Sequence, residues 1–253
     1  MSTRNPDAFD RADDVYYFEE EVRTMISGYG KFFAGGFLSL LVSALTISPG
    51  TSSAASDLSK IREDLKSIDW QVRVASVERL KNEKDEKTVN LLMEVVSTRE
   101  ERTPVKVAAI QLLGEAGDPR AVEVLLPIFN DATLNWECPA LKSYTAAALG
   151  SFRGDSRVVD ALISGIDDRE LLTREAAIRS LGRIGSAKAV PYLIRVLNDE
   201  HVSIRLSAIK ALGEIRRPEA MPYLERIATD EKDPVVKGQA DSALRGFLQN
   251  GGL

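Results

Sequence analysis

Val202-Ser-Ile-Arg-Leu-Ser-Ala-Ile-Lys-Ala-Leu-Gly213 carries Ala208, Ile209 and Leu212 at helical spacing. The side chains are small enough to let a neighbouring helix approach closely. The dipeptide Ile204-Arg205 inside this stretch has counterparts at Val72-Arg73, Val105-Lys106, Leu141-Lys142, Thr173-Arg174 and Val236-Lys237. Their basic residues lie 33, 36, 32, 31 and 32 positions apart. Seven residues after each stands Leu80, Leu113, Leu149, Leu181, Leu212 or Leu244, and the middle four are followed by Gly114, Gly150, Gly182 and Gly213. Further on, Val89, Val122, Val159, Val190 and Met221 each open a second apolar run, such as Val190-Pro-Tyr-Leu-Ile-Arg-Val-Leu197. Aligned columns at one spacing are the signature of a repeat array.

Each unit reads as two helices. The glycine at the end of the first run suits a left-handed helix cap and is expected to stop that helix. In Gly117-Asp118-Pro119, Asp118 is placed to cap the next helix and Pro119 fits its first turn. The second helix carries its own stripe, Val122, Leu125, Leu126 and Phe129. Two antiparallel helices cannot bury both stripes alone, whereas stacked units can. The fold class is therefore all-α: an α-solenoid of about five antiparallel helix pairs closed by a half unit.

The pattern resembles the HEAT-like repeats of the phycobilisome-lyase type, a resemblance that rests on residues 202–213 and 185–197 and extends over about residues 69–248. The resemblance implies a HEAT-like superhelix whose second helices line a concave binding side. The first unit departs with Lys81 in the glycine column, and the last with Arg245 there and Asp241 in a mostly apolar column. Such departures suit terminal caps, which face water on one side. Leu58, Ile61, Leu65 and Ile68 form another one-sided pattern, expected as an N-terminal capping helix over 56–68, ahead of a repeat domain over 69–253.

The first 55 residues have another character. Residues 1–24 form a polar leader with Asp7, Asp10, Asp13, Asp14, Glu19, Glu20 and Glu21, and no ionisable side chain lies between Lys31 and Asp57. Residues 32–47 are apolar, about 24 Å long as a helix, which is short for a span of about 30 Å. Lys31, that run and Ser53-Ala54-Ala55 also follow the order of a secretory signal, with cleavage between Ala55 and Ser56. Residues 25–55 are thus expected as a signal peptide or a membrane anchor, with translation starting at Met25. The first places the mature chain in the periplasm or outside the cell. The second tethers it to the inner membrane, with membrane contact through residues 32–47 alone. A buried helix of the globular domain is the third reading.

Composition excludes several chemistries. One His and one Cys exclude a His-paired zinc site and an internal disulfide, and the net charge of −5 is against a general nucleic-acid binder. The resemblance carries two enzymatic alternatives, bilin lyases and deoxyhypusine hydroxylase. The hydroxylase family holds iron through recurring His-Glu pairs, but here His201 is followed by Val202. No residue identifies a bilin pocket. Glu137 beside Cys138 opposes a reactive thiol, and Trp136 is expected to cover the junction of the second and third units. No catalytic residue, metal ligand or cofactor is assigned.

What remains is protein binding. The basic column is preceded at four or five positions by Asp69, Glu101, Glu137, Glu170, Glu200 and Asp233, which reads as a salt-bridge ladder between units. On the second helices an outward column reads Glu94, Pro127, Ser164, Arg195 and Arg226, with Glu123 and Asp160 a turn earlier, so this face is expected to run from acidic to basic. Its basic end repeats Pro-Tyr: Tyr192 with Arg195, and Tyr223 with Arg226. These four residues are the candidate contacts for an acidic segment of a partner protein, since Tyr and Arg dominate binding hot spots. The competing expectation is that both rings pack between units and both arginines merely face solvent.

Overall fold

The computed structural model describes residues 53–134 and 139–250, and side chains over 58–134 and 140–247. The calls on residues 1–52, including the apolar run, and those on Trp136 and Cys138 lie outside the described residues. Among the described residues there are twelve α-helices and no strand. A lone helix, α1 (Ser53–Asp64), precedes five pairs: α2 (Trp70–Glu78) with α3 (Glu86–Ser97), α4 (Thr103–Ala116) with α5 (Val122–Asn130), α6 (Pro139–Leu149) with α7 (Ser156–Gly165), α8 (Leu171–Ile184) with α9 (Val190–Arg195), and α10 (Val202–Ile215) with α11 (Met221–Asp230). A final helix, α12 (Pro234–Asn250), is the half unit.

The first helices form one layer, in which α2, α4, α6, α8, α10 and α12 each pack on the next. Each second helix packs against the first helix of the following unit, so the core runs continuously along the stack. The leucine column is its centre: Leu113, Leu149, Leu181 and Leu212 are fully buried. On the second helices, Val122, Leu125 and Phe129 are buried as the stripe requires.

The glycine column acts differently from its expected role. Gly114, Gly182 and Gly213 lie inside α4, α8 and α10, and those helices end two residues later. The left-handed caps are Gly117, at φ 68°, Gly185, at φ 77°, and Arg216, at φ 55°. What the internal glycines supply is closeness. A Cβ on Gly114 would stand 2.9 Å from Ala148 Cα, and one on Gly182 would stand 2.8 Å from Ala211 Cα. Glycine is needed there because the next first helix occupies that space.

The second helices start as expected. Asp118 accepts a hydrogen bond from the Arg120 amide and Pro119 opens a 3₁₀ turn that leads into α5. Asp85 and Asp155 cap α3 and α7 in the same way. At the N-terminal end, Ile61 is buried and Leu58 and Leu65 lean on the core. Ile68, grouped with them by spacing, is 100% exposed, because α1 ends at Asp64 and the chain turns before reaching it. Ala55 and Ser56 lie in the backbone of the first turn of α1. Among the described residues no helix is long and apolar enough to cross a membrane.

Candidate protein-binding face

The basic column does tie units together, but through other acids than those adjacent to it in sequence. Four of the six bases reach forward to the loop that enters the next unit, while Lys106 and Lys237 donate to the preceding carbonyls of Arg99 and Thr229. Arg73 makes a bidentate contact with Glu101, Lys142 Nζ meets Asp168 Oδ2 at 2.6 Å, Arg174 pairs with Asp199, and Arg205 lies 3.9 Å from Glu231. Of the expected acids among the described residues only Glu101 takes part, and its partner is the base of the preceding unit; Glu137 lies outside the described residues. Asp69 and Asp233 are instead helix caps, accepting from the Gln71 and Val235 amides. The reason is geometric. Asp168, Asp199 and Glu231 also accept backbone amides of their own loops, from Glu170, His201 and Asp233. A carboxylate so fixed points back at the preceding unit's base and sets the step from unit to unit.

The site at Lys142 is the most enclosed. Its side chain is 6% exposed and that of Asp168 is 8%, and the ammonium lies 5.8 Å from the Phe129 ring centre. These charges are fully used in holding the stack. They offer nothing to a ligand.

A second series of ion pairs ties the second-helix layer. Arg120 reaches Glu86 and Asn90, Arg157 reaches Glu123 at 2.9 Å, and Lys188 reaches Asp160 at 2.5 Å. Arg120 and Arg157 also hold their own capping aspartates. Side-chain hydrogen bonding from Arg120, aided by the Arg120 amide, keeps the Asp118 carboxyl below the usual aspartate range, and Arg157 does the same for Asp155. The acidic column expected on this face is therefore largely matched by cations: Glu94 pairs with Arg62, Glu123 with Arg157 and Asp160 with Lys188. The charge gradient along it is weaker than the column alone implies.

The series stops at the junction of the fourth and fifth units. The residues corresponding to Lys188 and Asp160 there are Glu219 and Pro191, which cannot pair. Next to Pro191 stands Tyr192, and one unit on, Tyr223 follows Pro222. Their counterparts in the first three pairs are Leu91, Val124 and Ala161, which are buried or partly buried. The tyrosines are too large for that position and remain 40% and 41% exposed. Both rings thus stand partly in solvent, between the two outcomes weighed from the sequence.

The two arginines of the candidate set differ. Arg195 is already engaged, its Nη2 donating to both oxygens of Asp167 at 2.8 and 2.7 Å. Arg226 is exposed and has no ion-pair partner among the described residues. Asp167 was missed in the sequence because it stands 28 residues before Arg195, in a loop outside the aligned columns. Among the described residues, no group of three or more His, Cys, Asp or Glu side chains is placed to hold a metal ion. His201 opens α10, its ring 3.1 Å from Asp199.

The chain belongs to the HEAT-repeat family. The family profile for HEAT repeats matches residues 58–137, 132–203 and 159–245, which together span most of the stack. Among solved structures, the chain is similar to an engineered protein, at 18% identity and a TM-score of 0.56 over 76% of this chain and 97% of that one. It is also similar to the complex of CpcE and CpcF of phycocyanin lyase from Nostoc sp. PCC7120, at 20% identity and a TM-score of 0.53 over 81% and 82%. A designed armadillo repeat protein in complex with peptide (KR)4 shares 18% identity and a TM-score of 0.51 over 74% and 98%. At these identities the likeness is one of fold. No curated protein matches significantly.

Proposed function

We propose that this chain is a non-catalytic HEAT-repeat scaffold that binds another protein through the second helices of its fourth and fifth units. The observation that carries the reading is the interrupted ion-pair series. Where the other junctions close the second-helix face with charge pairs, this one presents Tyr192 and Tyr223 beside Arg226. Partly exposed tyrosines give large contact area at low entropic cost, and an arginine without a carboxylate partner recognises one in a ligand. Arg195, held by Asp167, joins the contact by exchanging that carboxylate for one of the partner. An acidic segment is therefore the proposed ligand, lying along what HEAT solenoids use as a concave face. That the designed armadillo repeat protein was solved with a peptide supports peptide binding as a use of such a stack.

The test is a photo-crosslinking residue at position 223 in the native host. A discrete adduct is expected, and it should vanish in the Arg195→Glu, Arg226→Glu double variant while the melting temperature stays within a few degrees. An adduct that persists in the folded double variant removes this face from consideration. The export of the chain is a further part of the reading, resting on Lys31, the charge-free run and Ser53-Ala54-Ala55. Sequencing the purified protein's N-terminus should give Ser56 or a near neighbour if a signal is removed. An intact, membrane-bound N-terminus identifies an anchor instead, and a full-length cytosolic chain overturns export.

A further inference from the structure

The first-helix layer carries a feature that the binding face does not use. Three positions before each internal glycine or its counterpart stand Gln111, Ala147, Arg179 and Lys210. One position after it stand Glu115, Ser151, Arg183 and Glu214. The alanine at 147 removes a long side chain from the third unit just where the fourth and fifth contribute long cations. The result is a groove of about 330 Å³ across α6, α8 and α10, floored by Ala147, Ala176, Ser180, Ser207 and Ala211. Arg179, Arg183 and Lys210 line it, against the single carboxylate of Glu214.

These cations are held in place but are weakly compensated. Arg183 Nη2 donates to the Ala147 carbonyl at 2.5 Å and to Ser180 Oγ at 3.0 Å, while Ser180 donates to the Ala146 carbonyl at 2.8 Å. Gly150 leaves the room for the guanidinium, since a Cβ there would collide with it. Arg183 forms no ion pair among the described residues, and its remaining guanidinium N–H groups are free to take an acceptor. Burial of the guanidinium tip and the charge of Arg179 pull its pKa below the usual arginine range, with Arg153 adding to the positive field and Glu214 opposing it. Arg179 and Lys210 are themselves more than half exposed and pair only with carboxylates one helical turn away, the partly buried Glu175 at 3.4 Å and the exposed Glu214 at 4.0 Å. Pairs of that kind are weak and readily exchanged.

We propose that this groove binds a phosphate-bearing small molecule, with Arg179, Arg183 and Lys210 as its cationic contacts. The arrangement favours phosphate over carboxylate. A carboxylate is planar and satisfied along one edge, whereas the three cations approach from two turns of α8 and from α10. A tetrahedral phosphate presents acceptors in several directions at once. The volume is at the lower end for small-molecule sites and exceeds what one phosphate fills, so the ligand carries either a second phosphate or an organic body. The groove lies in the first-helix layer, and this proposal does not rest on the protein-binding reading.

The test is isothermal titration of the full-length chain with sodium pyrophosphate at constant ionic strength. Saturable binding with one site per chain is expected. Arg183→Gln and Lys210→Gln should each weaken it at least tenfold, and Arg157→Gln, in the second-helix layer, should leave it unchanged. Should Arg183→Gln melt early, Arg179→Gln, whose side chain is exposed, provides the same comparison. Absence of saturable heat, or equal binding by a folded Arg183→Gln or Arg179→Gln variant, overturns the proposal. Tighter one-site binding of citrate than of pyrophosphate assigns the groove to carboxylates and overturns the phosphate assignment.

Discussion

Two glycines in helices of this chain illustrate how position decides the sign of a substitution. Gly238 lies exposed in α12, with nothing within 4 Å of where a Cβ would stand. Alanine there removes unfolded-state freedom at no steric cost, so Gly238→Ala should stabilise by about 0.5–1 kcal/mol. Gly114 meets the Ala148 backbone at 2.9 Å, and backbone cannot swing aside as a flexible side chain can. Gly114→Ala must push α6 away from α4 and should cost about 1–3 kcal/mol, as overpacking does. Urea melts of the two variants check both signs. A mild stabilisation at 114 would show that the two first helices are not in close contact. Leu181, 0% exposed, gives the complementary case: Leu181→Ala should cost about 2–5 kcal/mol, and a surface-like loss below about 0.5 kcal/mol would contradict the register.

At the scale of the helices, the forward-reaching ladder is the device that spaces the units. Removing one partner at its most enclosed rung leaves a charge without compensation. Asp168→Ala strands Lys142, whose side chain is 6% exposed, and should cost about 3–5 kcal/mol; replacing both by apolar residues should cost far less. Comparing both single variants with the double variant by denaturant melts tests this, and a double-variant loss equal to the sum of the single losses would mean that the pair is not coupled. Much of this architecture was legible in the chain: the five pairs, the half unit and the leucine column follow from one spacing. The ladder's partners were not. Spacing identifies which acid stands beside a base in sequence, but Asp168, Asp199 and Glu231 are aimed by hydrogen bonds to their own loop amides, which no periodicity shows. Gly114, Gly182 and Gly213 were misread for a related reason, whereas Gly150 does follow the last residue of α6. Sequence alone does not separate a glycine that ends a helix from one that lets another helix in, and the true caps stand three residues later at Gly117 and Gly185. For the candidate face, Tyr192 and Tyr223 were visible as a repeated Pro-Tyr, whereas the engagement of Arg195 by Asp167 depended on a loop outside the aligned columns.

The whole stack depends on each unit covering the next, and its carboxylates make that dependence pH-sensitive. Asp85, Asp118, Asp155, Asp199 and Glu231 all have folded pKa values below their ordinary range. For Asp85 the leading cause is the Thr88 hydroxyl, and for Asp118 and Asp155 the neighbouring arginine side chains. At Asp199 burial pushes upward, but the His201 amide, Arg174 and the His201 ring together outweigh it. A group with a depressed folded pKa contributes its stability in full above its unfolded pKa and loses it as pH falls through the folded value. The melting temperature should therefore vary little from pH 7 to about 5 and fall steeply below about pH 4. A maximum near pH 4 would contradict this assignment.

The C-terminal half unit is where dependence on a neighbour can be isolated. Val236, Ala240 and Ala243 of α12 are buried, and Ala243 closes on Gly213 of α10, so α12 covers the face that every other first helix presents to the unit after it. In an array stabilised by nearest-neighbour interfaces, removing the last element removes one interface and leaves the others intact. Deleting residues 231–253 should thus lower the melting temperature and uncover the apolar side of α10 without abolishing the helical circular dichroism of the first four units. The uncovered face matches the side of any first helix, so the truncated chain should also self-associate with rising concentration, which sedimentation velocity would detect. Complete unfolding would mean that the units fold only as a whole. An unchanged, monomeric melt would mean that α12 does not cap the stack.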